Sequence, residues 1–161
     1  MKLEVLTRGQ CQLVREWRNN ELQAWRTPYM LTEKMQDNFY DDIVQDRNSK
    51  HRYFAIMGGG QFIGMGGLTN IEWENGTAEI SLIINPNYRR KRCGTEAVDL
   101  LLDEAFDRMR LYSVHGEEYA CGCIEFWSHI IDRSSAYSVK LQDRKFYNGI
   151  MYDSMWFSIK G

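Results

Sequence analysis

Apolar and polar positions along the chain fall into blocks of two kinds, with periods of about two and about three and a half residues, the signatures of strands and amphipathic helices. Leu3 and Val5 alternate with polar neighbours and predict an opening edge strand. From about Gln10, Leu13, Val14 and Trp17 share a helical face that fades near Asn19-Asn20. A connector from Leu22 to Leu31 carries Trp25, Pro28 and Tyr29. Thr32 is placed to cap a second helix with Met35, Phe39, Tyr40 and Ile43 inward and Asp41, Asp42 and Asp46 toward water. A strand meander follows: Tyr53 to Ile56, a Gly58-Gly59-Gly60 turn, Gln61 to Thr69, then Asn75-Gly76 as a two-residue hairpin turn into Thr77 to Asn85. Gly64, Gly66 and Gly67 in the middle strand mark a bulge or a close backbone approach.

The most informative stretch runs from Ile80 to Met109. Ile80-Ser81-Leu82-Ile83-Ile84 is short, β-branched and bounded by Asn85-Pro86-Asn87, which predicts a buried strand ending where proline removes a donor. After the basic turn Tyr88 to Gly94, Ala97, Val98, Leu101, Leu102, Ala105, Phe106 and Met109 recur at helical spacing, so a helix begins near Gly94. Further on, Tyr112 to Ala120 predicts a strand, and Ile124, Phe126, Trp127, Ile130 and Ile131 a short helix. Ala136 to Leu141, Lys145 to Asn148 and Ser154 to Ile159 predict three closing strands, with Asn148-Gly149 as a turn. This order implies one mixed α/β sheet in a single domain over residues 1–161.

Charge changes the picture at one place. The chain carries a net charge of −2, so the cationic turn is a local device. Four basic side chains stand just before a helix N-terminus, where unpaired backbone N–H groups and the positive dipole end favour an anion. A solvated charge run or a nucleic-acid patch is the competing reading of such a tetrad. The four cysteines, Cys11, Cys93, Cys121 and Cys123, form no disulfide framework. Cys121-Gly122-Cys123 with His115 and His129 has no usual zinc spacing, so no metal is expected. No apolar run approaches the roughly 20 residues that span a bilayer, and Met1 to Val5 lacks the apolar core of a signal peptide. The expectation is a cytoplasmic protein with no membrane partner.

Arg89-Arg90-Lys91-Arg92-Cys93-Gly94, with Ala78-Glu79-Ile80 before it and Thr95-Glu96-Ala97 after it, resembles the acetyl-CoA pyrophosphate loop of the GNAT superfamily of N-acetyltransferases. Arg92 stands where that family's loop has its middle glycine. Arg144-Lys145-Phe146-Tyr147-Asn148-Gly149-Ile150-Met151-Tyr152-Asp153-Ser154 is similar to the closing strands of the branch holding ribosomal-protein N-terminal and small-amine acetyltransferases. The resemblance implies a GNAT-like fold, a mixed and mostly antiparallel sheet of six to seven strands with about four helices. It implies acetyl-CoA as co-substrate, held by the backbone of Leu82, Ile83 and Ile84, by the loop Arg89, Arg90, Lys91, Arg92, Cys93, Gly94 and Thr95, and by Trp127. A left-handed Arg92 would cost about 1–3 kcal/mol, comparable with the roughly 1.5–3 kcal/mol from one charge-assisted bond to phosphate.

Acetylating an amine needs a base, because an alkyl ammonium titrates near about 10.4, then oxyanion donors and a way for the thiolate to leave. Under the resemblance Glu79 is the candidate base, with a structural strand-end carboxylate as the alternative. Leu82 or Ile83 would supply the oxyanion donor. Trp127 occupies the position of the family's acid tyrosine but has no proton to deliver, which leaves Tyr119 and Cys123 as candidate acids. Trp25 and Tyr29 either cap the core or line a substrate mouth. The acceptor would be a small-molecule amine or a peptide N-terminus, without nucleic acid, and a homodimer is compatible with the chain. Three functions follow: an acetyltransferase, an acyl-CoA-binding module without turnover, or a nucleic-acid-binding domain using the basic turn.

Overall fold

The computed structural model describes residues 1–161. Seven strands form one sheet: β1 (Lys2–Val5), β2 (Arg52–Gly58), β3 (Gln61–Glu72), β4 (Thr77–Ile84), β5 (Ser113–Tyr119), β6 (Tyr137–Tyr147) and β7 (Ile150–Lys160), in spatial order β1-β2-β3-β4-β5-β7-β6. All neighbours are antiparallel except β4 and β5. Four helices accompany them: α1 (Arg8–Asn19), α2 (Glu33–Phe39), α3 (Cys93–Asp103) and α4 (Ile124–Arg133). The expected mixed α/β architecture is therefore observed. No helix is long and apolar enough to cross a membrane.

Alternation along the central strands explains why they read as continuous apolar runs. Ala55, Met65 and Ile83 pack with Val14 and Cys11 of α1 on one face, whereas Ile56, Ile63, Ile84 and Ala97 of α3 pack together on the other. A strand covered by helices on both faces has no polar side to show. Gly66 belongs to this packing, since a Cβ there would lie 2.8 Å from Leu101 Cδ1. The middle-strand glycines thus mark close approach, and a register shift at Ile56/Met57 adds a bulge.

Local chemistry sets the helix ends. Thr7 and Gln10 form a reciprocal capping box at α1, and the Thr32 hydroxyl accepts the Met35 N–H at α2. Leu13 and Met35 lie on the exposed sides of their helices, at 43% and 47% exposure, against expectation. Cys11, Val14 and Gln36 take the inward positions. Both α2 and α3 run on into a π-helical turn, at Tyr40–Val44 and Glu104–Arg108, and Ala105 in the second is buried.

The two expected Asn-Gly turns differ. Asn148-Gly149 is the two-residue turn between β6 and β7, with φ of 49° and 81°. Asn75-Gly76 is not: four residues separate the paired Glu72 and Thr77, and of these only Gly76 is left-handed, at φ 65°. The Asn75 amide instead donates to Glu72 Oε2 at 2.8 Å, and the Gly76 carbonyl accepts the Tyr112 N–H at 2.6 Å, docking the start of β5. The three expected closing strands are two, because a register shift between Leu141 and Lys145, with Asp143 at φ 52°, interrupts β6 without ending it.

Candidate active site

β4 and β5 pair only over Thr77–Glu79 and Ser113–His115. Beyond that short ladder they diverge, and a cleft of about 330 Å³ opens between them. Its walls include Ile80 to Ile83 on one side and Gly116 to Tyr119 on the other, with Trp25 and Arg26 of the connector above. Trp127 and Phe157, stacked at 5.1 Å, form its floor. Gly116 keeps that floor in place, since a Cβ there would sit 2.5 Å from the Phe157 ring.

Glu79 is the last β4 residue paired with β5, so its side chain stands at the fork. Its carboxylate accepts from Asn70 Nδ2 at 2.8 Å and forms an ion pair with Arg26. Arg26 also donates from Nε to the Tyr119 hydroxyl at 3.1 Å. Glu79, Arg26 and Tyr119 are therefore one connected unit. Burial disfavours the Arg26 charge, but the bonds to Glu79 and Tyr119 outweigh it and raise its pKa. Nothing in the sequence singles out Arg26, because a lone cation in an irregular connector has no periodicity to betray it.

The rest of the β5 wall is acidic. Glu117 Oε1 accepts from Ser154 Oγ at 2.6 Å and Arg144 Nε at 2.9 Å. Burial raises its pKa, but those bonds carry it below the usual carboxylate range. Glu118 behaves oppositely. Desolvation pushes it up to about 7, although its Oε1 accepts the Cys123 N–H at 2.7 Å. A folded-state value above the ordinary 4.5 means that the folded chain keeps a proton the unfolded chain has lost. Stability contributed by the neutral carboxyl is thus full below pH 4.5 and is lost as pH rises through about 7. Glu118→Gln should flatten that part of a melting-temperature profile against pH; an unchanged slope would assign it to other groups.

Beyond Ile84 the chain turns through Pro86–Tyr88 into the basic loop. Arg90 and Arg92 are both left-handed, at φ 59° and 64°, and Arg92 is the N-cap of α3. The condition for strain at Arg92 is thus met. Arg89 donates to Glu21 Oε1 at 2.5 Å and to the Ile84 carbonyl at 3.2 Å. Its pKa rises, chiefly through the bond to Glu21. Lys91 Nζ donates to the Asn87 carbonyl at 2.9 Å, while Arg90 and Arg92 make no ion pair. A Cβ at Gly94 would lie 3.0 Å from the Phe126 ring, so Cys93, Gly94 and Thr95 start α3 against the first turn of α4.

The other candidate residues separate. Trp25 lines the cleft and donates from Nε1 to the Arg18 carbonyl at 3.1 Å, and it also packs on the core cluster under α1. Tyr29 does not join it, being 54% exposed and outside the cleft wall. Cys123 is the N-cap of α4, also outside that wall, and desolvation followed by the Glu118 carboxylate raises its thiol pKa. Tyr119 is buried and on the wall, so of the two candidate acids only the tyrosine reaches the cleft.

Comparison with known proteins bears on the family and the fold. The family model described as an acetyltransferase (GNAT) domain matches residues 3–129. The spermidine N(1)-acetyltransferase of Escherichia coli strain K12 is 29% identical over 118 residues, which make up 71% of this chain and 62% of that protein. The chain thus spans under two thirds of that relative. A crystal structure of Vibrio cholerae spermidine N-acetyltransferase in complex with CoA and spermine aligns with a TM-score of 0.86 at 21% identity, over 99% of this chain and 94% of that one. Another structure of the V. cholerae protein, described as dodecameric, aligns with a TM-score of 0.82 at 20% identity, over 99% and 92%. At such identities the likeness concerns the fold alone. With the family model matched from the first strand into the helix behind the cleft, the chain belongs to the acetyltransferase (GNAT) domain family.

Proposed function

We propose that this chain is an N-acetyltransferase that takes acetyl-CoA as donor and passes the acetyl group to a primary amine by direct attack in a ternary complex. The observation that carries the reading is the divergence of β4 from β5 directly ahead of a cationic helix start. In this reading Leu82, Ile83 and Ile84 offer backbone groups to the donor, and Arg89 to Thr95 receive its pyrophosphate. Glu79 removes the ammonium proton, directly or through water. A backbone N–H of Leu82 or Ile83 meets the oxyanion. Tyr119, tied to Glu79 through Arg26, protonates the leaving thiolate. The name of the E. coli relative puts spermidine on the acceptor panel as its polycationic member.

A second reading, an acyl-CoA-binding module without turnover, is favoured by the left-handed Arg92 and by Trp127, whose indole cannot deliver a proton. One sample separates the two. Acetyl-CoA and CoA should both raise the melting temperature, and amines from a broad panel should then release free thiol from acetyl-CoA. A thermal shift without thiol release from any amine selects the binding module. Neutralising Arg89 and Arg90 together, as Arg89→Gln/Arg90→Gln, should shrink the shift from CoA; an unchanged shift removes the phosphate assignment.

A further inference from the structure

We propose that Arg18 is the anion-recognising residue of the acceptor half of the cleft, so that the amine acetylated here also carries a carboxylate or a phosphate. The proposal deepens the acetyl-transfer reading and rests on it for the identity of the amine.

The cleft's other charges are accounted for. Glu79 is held by Arg26 and Asn70, Glu117 by Arg144 and Ser154, and Glu118 holds the Cys123 N–H. Arg18 differs. It lies on the cleft wall, and its Nε is buried without a hydrogen-bond partner, the sole side-chain atom of the chain in that state. Its guanidinium carbon stands 5.5 Å from the centre of the Trp25 ring. The last turn of α1 eases the positive charge through the helix dipole but brings no acceptor to that nitrogen.

A guanidinium has five N–H donors and nothing to accept with; Arg18 is half-buried and its Nε finds no acceptor within the chain, so an incoming oxyanion would meet an unused donor face. Its planar fork fits both carboxylate and phosphate oxygens in pairs. Its environment is also fixed. The Trp25 indole N–H bonds back to the Arg18 carbonyl, so the ring that flanks the guanidinium is tied to the residue it covers. Tyr53 lies on the same cleft wall as Arg18 and the candidate base Glu79. An acceptor presenting an amine to Glu79 and an acid group to Arg18 satisfies both. A polycation satisfies Glu79 but sets like charge against Arg18.

Two measurements on the whole chain test this, with CoA present to occupy the basic loop. First, acetate and methylphosphonate are titrated as small probes of the two anion types in a thermal-shift assay. At least one should raise the melting temperature of the wild type, and Arg18→Met should abolish that rise while leaving the shift from CoA intact. No rise with either probe, or a rise that survives Arg18→Met, overturns the proposal. Second, thiol release is compared within matched pairs, β-alanine against its amide and glucosamine 6-phosphate against glucosamine. The acid-bearing member of the better pair should have a kcat/KM at least about tenfold higher, with the gap closed by Arg18→Met and partly kept by Arg18→Lys. Equal rates within both pairs overturn it. An anion shift that depends on Arg18 with no thiol release from any amine leaves the anion site standing and removes acetyl transfer instead.

Discussion

Replacing Glu79 with glutamine is expected to slow acetyl transfer by about a hundredfold or more, the usual contribution of a positioned general base, with little change in affinity for CoA. Glutamine keeps the shape of the side chain and one acceptor oxygen. It cannot accept from Asn70 and Arg26 together without turning its own N–H toward one of these donors. Arg26 then loses its counter-charge, and the bond it makes to the Tyr119 hydroxyl loses its anchor. The base and the acid of the proposed reaction would therefore fail together. Steady-state kinetics on material of checked melting temperature separates the two roles of the carboxylate. A drop in melting temperature with transfer per folded molecule intact would make Glu79 a strand-end brace and leave the base unassigned.

Phe157→Ala should be the most damaging single truncation. Phe157 is 1% exposed and stacks on Trp127 while its ring edge fills the space that Gly116 leaves open. Removing a buried phenyl costs about 3–5 kcal/mol, because the lost transfer energy adds to the cavity left behind. For a chain of this size that corresponds to a fall of roughly 6–20 °C in melting temperature. The cavity would open directly beneath the cleft, so Trp127 would lose its support along with the core. Thermal denaturation checks the first effect; a fall of only a degree or two would mean that Trp127 and Phe126 collapse into the gap.

What the sequence made legible, and what it hid, follows from how far each signal reaches. The helix from Cys93 was readable because Ala97, Val98, Leu101 and Ala105 meet one face at regular spacing, and all four are fully buried. The basic loop was readable because its charges are consecutive. Asn148-Gly149 turned as its dipeptide prefers, since its two strands continue without tertiary interference. Asn75-Gly76 did not, because the Gly76 carbonyl is engaged by the first residues of β5, a contact made far along the chain. For the same reason the pairing of Arg26 was silent in the sequence, and so was the missing partner of Arg18. Both depend on residues distant in the chain.

The short ladder between β4 and β5 gives the sheet something open sheets normally have only at their margins: a strand rim in the interior. From Ile80 onward β4 faces a gap where a neighbour would be, since its pairing with β5 ends at Glu79. Exposed rims invite strand addition by other chains, and proteins ordinarily blunt them with charge or proline. The β4 rim from Ile80 to Ile84 carries neither, so an extended, unbranched molecule with amides along its length could complete the sheet there as an eighth strand.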